Sequence, residues 1–545
     1  MYHHFFRNMC LAGIFVLSIL LSSCSKDAPA SGSADADTSV QTVQAPGNSD
    51  APSKESGAVI SGTNSSQEPA DLTESESRNT QETKETEPSS AEGGLNGNKY
   101  YMILTLDNIK NTIGGLETIV VQNNSGDTWN ELCFRDYPSL FAKGKGSGHN
   151  TDGSITDIQN VKDLTNDADM TVTRSMDDVS VVYADLSVQL KAGETRIIQL
   201  SFTAYVPELE SRYGYKDGVY NLANFYPVLS VYENGGWSTE PYFLWGECFY
   251  STVSDYKVTL YAPEEYQIIS SGLSSIYSQS GDQAKWVITA AKVRDFAMVA
   301  GDGFDVKSEQ ADGITINCYY RNNDDSWGSD ALAAGVDAVN VFNETFGEYP
   351  YPELDIVQTH LDAGGMEYPT IVMISDSLNS HFDKSSIVRI VVVHEVGHQW
   401  FYGLVGDNQY TEAWLDESFA SFCELVYEET FTDEEDIQAE VDVLEASLES
   451  GGIQDSKDQY YVNKAYNDFS SDSEYTHTVY TRGEIFLYQL REAMGRELFN
   501  SAMKEYVAGY SFRIADTEDF KEVITKYAGE NEAVAALLVK YLRPV

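Results

Sequence analysis

The stretch "IVRIVVVHEVGHQWF", residues 387–401, constrains this chain more than any other. Its flanks are apolar, so it reads as a helix inside the fold. Yet it carries two imidazoles and a carboxylate, which are costly to desolvate without partners. Residues four apart on a helix differ by about 40° in azimuth, so His394 and His398 project from one face. They can converge on one metal ion at about 2.0–2.1 Å each. Glu395 points near the same place but sits too far round to be a third ligand. It suits a general base that acts on a water at the ion. The rival reading is a plain core helix with two satisfied histidines. A third ligand separates the two, and Glu417 follows His398 after eighteen intervening residues. "GLVGDNQY" breaks the first helix and "TEAWLDESFASFCELVY" begins another, so the chain can fold back and return Glu417 to the histidines. Two His and one Glu leave a fourth position open, as a catalytic zinc requires.

The pattern "HEVGHQW…WLDESFA" resembles the HExxH-x18-E signature of the M1 aminopeptidase family, to which aminopeptidase N belongs. Asp416 and Ser418 stand where that family has Asn and Gly in WLNEGFA. The family's G-x-M-E-N motif has a counterpart in "GGMEYP", Gly364 to Pro369, with Tyr368 in place of the Asn. The resemblance implies one Zn2+ held by His394, His398 and Glu417, with Glu395 as the base. It implies that Glu367 binds the free α-amine of a peptide, flanked by Gly364, Gly365 and Met366. It also implies a tyrosine that hydrogen-bonds the oxyanion, in a Y-x-K-G-like context. "YTRG" offers Tyr480 for this, with Arg482 for the Lys, and Tyr475 lies five residues earlier as a second tyrosine for the cleft. The expected substrates are peptides with a free N-terminus. Two rivals stand beside this reading: a zinc endopeptidase on the same fold, and a non-catalytic peptide- or cell-wall-binding surface lipoprotein.

Other parts of the chain bound where such a site would work. The net charge is −50, so nucleic acid is excluded as a partner by repulsion of its phosphates. Residues 1–23 read as a signal peptide: Arg7, then "MCLAGIFVLSILL", too short to span a bilayer, then "LSSC" ending at Cys24. The last four residues resemble a bacterial lipobox, which implies a lipid on Cys24 and a membrane-anchored, extracytoplasmic protein. A plain secretory signal is the alternative. Residues 24–97 read as an acidic disordered tether, since 25–97 contain no Phe, Trp or Tyr. As a random coil that segment would span roughly 50 Å.

Residues 98–304 alternate polar and apolar positions and read as an all-β, saddle-like domain; "VSVVYADLSVQLKAGETRIIQLSFTAYVP" reads as one hairpin. Residues 305–545 read as a thermolysin-like, mainly helical catalytic domain, α+β overall, with strands at "ITINCYYR" and "LDIVQTHLD". Helices are predicted over 385–403, 412–430, 434–449, 480–495, 496–509, 517–528 and 531–542. No large C-terminal helical domain is expected. Cys133, Cys248, Cys318 and Cys423 show no metal spacing and read as small buried residues. His149, His360, His381 and His477 are expected on polar surface.

Overall fold

The computed structural model describes residues 97–141, 155–241, 246–247, 249–322, 324–380, 384–450 and 460–544. The signal segment, Cys24 and the tether lie outside them, as do Cys248, His149 and His381.

The first half is β-rich. Lys99–Asp107 shows why: Tyr100, Met102, Leu104 and Leu106 alternate inward while their neighbours face out. This strand lies in an eight-stranded sheet, parallel to Ser254–Pro263 and antiparallel to Thr112–Gln122. Two four-stranded sheets pack with it. On the inner face of the eight-stranded sheet Tyr100 stacks on its strand neighbour Tyr256 at 4.8 Å, and the Tyr226 hydroxyl donates to that of Tyr256.

The expected hairpin over 179–207 does not form. Val181–Leu190 pairs with Trp129–Arg135 in one sheet, and Thr195–Tyr205 pairs with Thr112–Gln122 in another. Asn123 makes the difference. Its backbone carbonyl accepts from Gly193, its N–H donates to Glu194, and its side-chain amide donates to Leu190. These bonds turn the chain across from sheet to sheet.

The second half is helical around a five-stranded sheet that starts at Asp305. Ile314–Tyr320, Glu353–Thr359 and Ile371–Ser375 run parallel, and Gly365–Met366 forms an antiparallel edge. The helices are α1 (Asp325–Phe346), α2 (Lys384–Gly397), α3 (Trp414–Glu428), α4 (Glu434–Ser450), α5 (Gly483–Met494), α6 (Arg496–Tyr510), α7 (Thr517–Ala528) and α8 (Glu532–Tyr541). Helix α1 has no counterpart in the predicted set. Its interior glycines lower helix propensity but fit the packing: a Cβ on Gly335 would lie 2.4 Å from Ile356 Cδ1.

Arg294 and Asp295 join the two halves. The Arg294 guanidinium is buried and donates to the carbonyls of Ser251, Tyr402, Leu404 and Arg513. Gly406 packs flat against it, where a Cβ would sit 2.0 Å away. Asp295 accepts from Asn224, Ser251 and the Tyr402 hydroxyl. Among the described residues no helix is long and apolar enough to cross a membrane.

Candidate metal centre

Helix α2 is buried through Val388, Val392, Val393 and Val396, and it brings His394 and Glu395 to the interior. It ends at Gly397, six residues before the predicted end. His398 keeps the helical phase through one more bond, its N–H to the His394 carbonyl at 3.3 Å. Gly397 allows α3 to approach, since a Cβ there would lie 2.9 Å from Cys423 Cβ. The return path is a tight turn, a two-residue strand at Val405–Gly406 paired with Arg513–Ile514, and a second turn into α3. Helix α3 then presents Glu417 from its first turn.

Glu417 Oε2 lies 3.2 Å from His394 Nε2 and 3.5 Å from His398 Nε2. Donors bound tetrahedrally at about 2.0–2.1 Å to one ion are separated by roughly 3.3–3.4 Å. The three side chains therefore fit a single zinc. The remaining imidazole nitrogens are held from behind. His394 Nδ1 lies 2.8 Å from Glu424 Oε1, and His398 Nδ1 lies 2.5 Å from Asp416 Oδ1. Such partners fix the tautomer and aim Nε2 at the metal position. Burial disfavours a charged His394, but without an ion the hydrogen bonds that its ring donates to Glu417 and Glu424 push its pKa up.

Glu395 sits beside this triad. Its carboxylate lies over Gly365, where a Cβ would be 2.2 Å from Oε1, so the glycine is required for close approach. Burial raises the Glu395 carboxyl to about 7, against the pull of His394 and His398. Glu367, Glu395 and His398 also bring ligand atoms within 4.8 Å of one another. Glu367 is buried, and burial and the nearby Glu247 raise its pKa well above the carboxylate range.

Sequence reasoning missed Glu247. It comes from a β-half loop and is gripped by both terminal nitrogens of Arg212. A single carboxylate in a loop carries no periodic signal. Glu424 was also missed, although seven residues after Glu417 is two turns along the same helix face and could have pointed to it.

The Gly364 carbonyl accepts from Ser375 within the sheet, so it is already committed. Gly365 and Met366 form the sheet's last strand, and their outer edge remains for an extended peptide. Tyr368 is buried against Phe249, with its ring 6.5 Å away. Tyr480 lies in a π-helical turn, His477–Arg482, its ring 6.1 Å from that of His394 and nearly parallel to it. Ser418 donates to the Val479 carbonyl in that turn, and Gly483 gives it room. Tyr475 lies 6.2 Å from Tyr480, its hydroxyl against Gly246. His360 differs from its expected surface role: it is mostly buried, with Nδ1 2.8 Å from Asp376.

A family comparison now adds to this geometry. Residues 331–541 match the peptidase family M1 domain. The M1 match spans α2, α3 and the π-turn. The chain is 28% identical over 243 residues to aminopeptidase M1-D of Oryza sativa subsp. japonica, covering 43% of this chain and 28% of that one. It is 26% identical over 256 residues to aminopeptidase M1 of Arabidopsis thaliana, covering 45% and 29%. The chain thus spans less than a third of those two relatives. Its fold is similar to a crystal structure of an M1 zinc metallopeptidase from Deinococcus radiodurans, with a TM-score of 0.60 at 17% identity, over 83% of this chain and 96% of that one. A two-domain M1 zinc metallopeptidase bound to L-arginine has the same TM-score at 16% identity. The β-rich half followed by the helical half that carries the family match has the two-domain fold of such metallopeptidases.

Proposed function

We propose that this protein is a zinc aminopeptidase that removes N-terminal residues from peptides at the extracytoplasmic face of a bacterial membrane. The observation that carries the reading is the carboxylate pair Glu367 and Glu247 beside the His394–His398–Glu417 triad. Two acidic side chains there match a substrate ammonium, which measures one residue back from the scissile bond.

His394, His398 and Glu417 would hold the zinc. When bound, that ion supplies Lewis-acid chemistry, polarising a carbonyl and acidifying a water. Glu395 takes a proton from the attacking water and delivers it to the leaving amine. Tyr480 donates its hydroxyl proton in a hydrogen bond to the carbonyl oxygen as charge develops there. Glu367 and Glu247 fix the α-amine, and the Gly365–Met366 edge aligns the backbone. The deep burial of Glu367 favours this over an endopeptidase, because an uncharged chain passing there would leave the carboxylate without a cation.

The test is a matched pair of peptides, free and N-acetylated, on the zinc-loaded protein and on Glu367→Ala. Losing the ammonium contact should lower kcat/KM about 30- to 1000-fold for free peptides. Slow cleavage of acetylated peptides should stay nearly unchanged. Equal losses on both would remove the exopeptidase reading. Membrane attachment rests on "LSSC" and the polar tether after it. Cys24→Ala should move the protein to the soluble fraction, and a variant that stays membrane-bound would overturn the lipid anchor.

A further inference from the structure

Carboxylates gather on the far side of His394 from Glu367. Glu424 and Glu428 project from α3, Glu440 from α4 and Glu484 from α5. Glu424 is 2.8 Å from His394 Nδ1, so the group begins at the metal position. Glu484 is 7% exposed and has no hydrogen bond among the described residues. Its electrostatic neighbours are Glu424, Glu440 and Glu428. None of the four forms an ion pair with a described lysine or arginine. Glu429, the next residue after Glu428, behaves differently: Arg491 and Arg496 neutralise it on the other side of α3. Cations are thus supplied where the helices pack on one another and withheld at this crevice. Glu424, Glu428 and Glu440 keep partial exposure, so the crevice is open to solvent. Glu484 stands one turn after Tyr480, and α4 packs against the π-turn that carries Tyr480.

Direction follows from the two histidines. Glu367 and Glu395 group with His398, whereas Glu424 touches His394. A peptide whose amine lies at Glu367 and Glu247, and whose first carbonyl lies at the metal and Tyr480, continues past His394. We propose that this crevice is a subsite for a cationic side chain, lysine or arginine, on the leaving-group side of the scissile bond. The assignment rests on the aminopeptidase reading for its direction. Glu484 is its floor: a buried carboxylate among three others, with no lysine or arginine paired to it, is completed by an ammonium or guanidinium from the substrate.

The experiment compares Ala-Lys-Ala, Ala-norleucine-Ala and Ala-Glu-Ala on the zinc-loaded full chain and on Glu484→Gln and Glu440→Gln. Norleucine keeps the lysine stem and drops the charge. The wild type should prefer lysine over norleucine in kcat/KM by about tenfold or more, with glutamate the poorest. Either substitution should bring the lysine-to-norleucine ratio close to one. An unchanged ratio in both variants overturns the subsite. A second arm needs no turnover: calorimetric Kd values of the same peptides on zinc-loaded Glu395→Gln, alone and combined with Glu484→Gln. Tighter binding of the lysine peptide that depends on Glu484 supports the subsite even if no peptide is cleaved. Equal affinity for lysine and norleucine overturns it, whatever the hydrolysis shows.

Discussion

The two halves of the molecule treat buried charge in opposite ways. In the β-rich half buried ions come as pairs: Arg174 with Asp136, Arg196 with Asp163, Arg135 with Asp178. Glu117 departs from this, buried with neither oxygen hydrogen-bonded, and Arg294 and Asp295 at the junction bond to neutral groups. Around the metal centre Glu367, Glu395, Asp416, Glu417 and Glu484 are all buried, and histidines and one arginine on Glu247 are the cations near most of them. Paired charges close a structure upon itself. An excess of carboxylates leaves it incomplete until cations arrive; a metal dication fits the histidine–glutamate triad, and a substrate ammonium is the second cation proposed.

The largest effect should come from the centre of the incomplete half. Glu395→Gln removes the base without a ligand, so turnover should fall about 10²–10⁴-fold while zinc content by elemental analysis stays at wild-type level. Glu417→Ala should lower the zinc content itself. The reverse pattern would exchange the roles assigned to these two residues. At the junction between the halves, Arg294→Ala leaves four buried carbonyls without their donor. It should cost about 3–5 kcal/mol, read as the shift in chemical denaturation. A loss under about 1 kcal/mol would show that the junction does not depend on that guanidinium.

A smaller effect is expected behind the ligands. Glu424→Gln keeps the shape but weakens the hold on His394, and zinc affinity should drop about 10–100-fold in competition with a chelator. Unchanged affinity would assign Glu424 to the open crevice alone. The smallest change is Ser418→Ala, which removes one hydrogen bond to the Tyr480 turn. It should lower kcat about fivefold with little change in KM, equivalent to about 1 kcal/mol. Thr at that position should restore part of the loss, and a KM effect without a kcat effect would detach Ser418 from Tyr480.

What the sequence disclosed follows the reach of each interaction. His394, Glu395 and His398 are legible because helical phase alone places them together. Glu417 needed one further step, a chain reversal, which the breaker "GLVGDNQY" signals. Strands such as Lys99–Asp107 show through period-two burial. The misses are decided by distant partners. Helix α1 looks poor locally and is stabilised by a sheet that its glycines touch. The chain crosses between sheets after Leu190 because of Asn123, 67 residues before it. Glu247 reaches the site from the other half of the molecule, and nothing near it in sequence marks it.

The π-turn at His477–Arg482 has a consequence for phase. On a regular α-helix, residues five apart are rotated by about 140° and face different ways. Closing a turn i→i+5 brings such residues nearly into line. Tyr475 and Tyr480 are five positions apart in sequence, and their rings lie 6.2 Å from one another in one buried cluster. The extra residue works as a spacer that resets the rotational register between the five-residue helix Asp472–Thr476 before it and α5 after it. Deleting one residue from 477–482 would return the segment to α-helical phase and swing everything downstream by about 100° relative to Tyr475. Length in this turn therefore sets which tyrosines stand side by side, much as a tooth count sets which gears mesh.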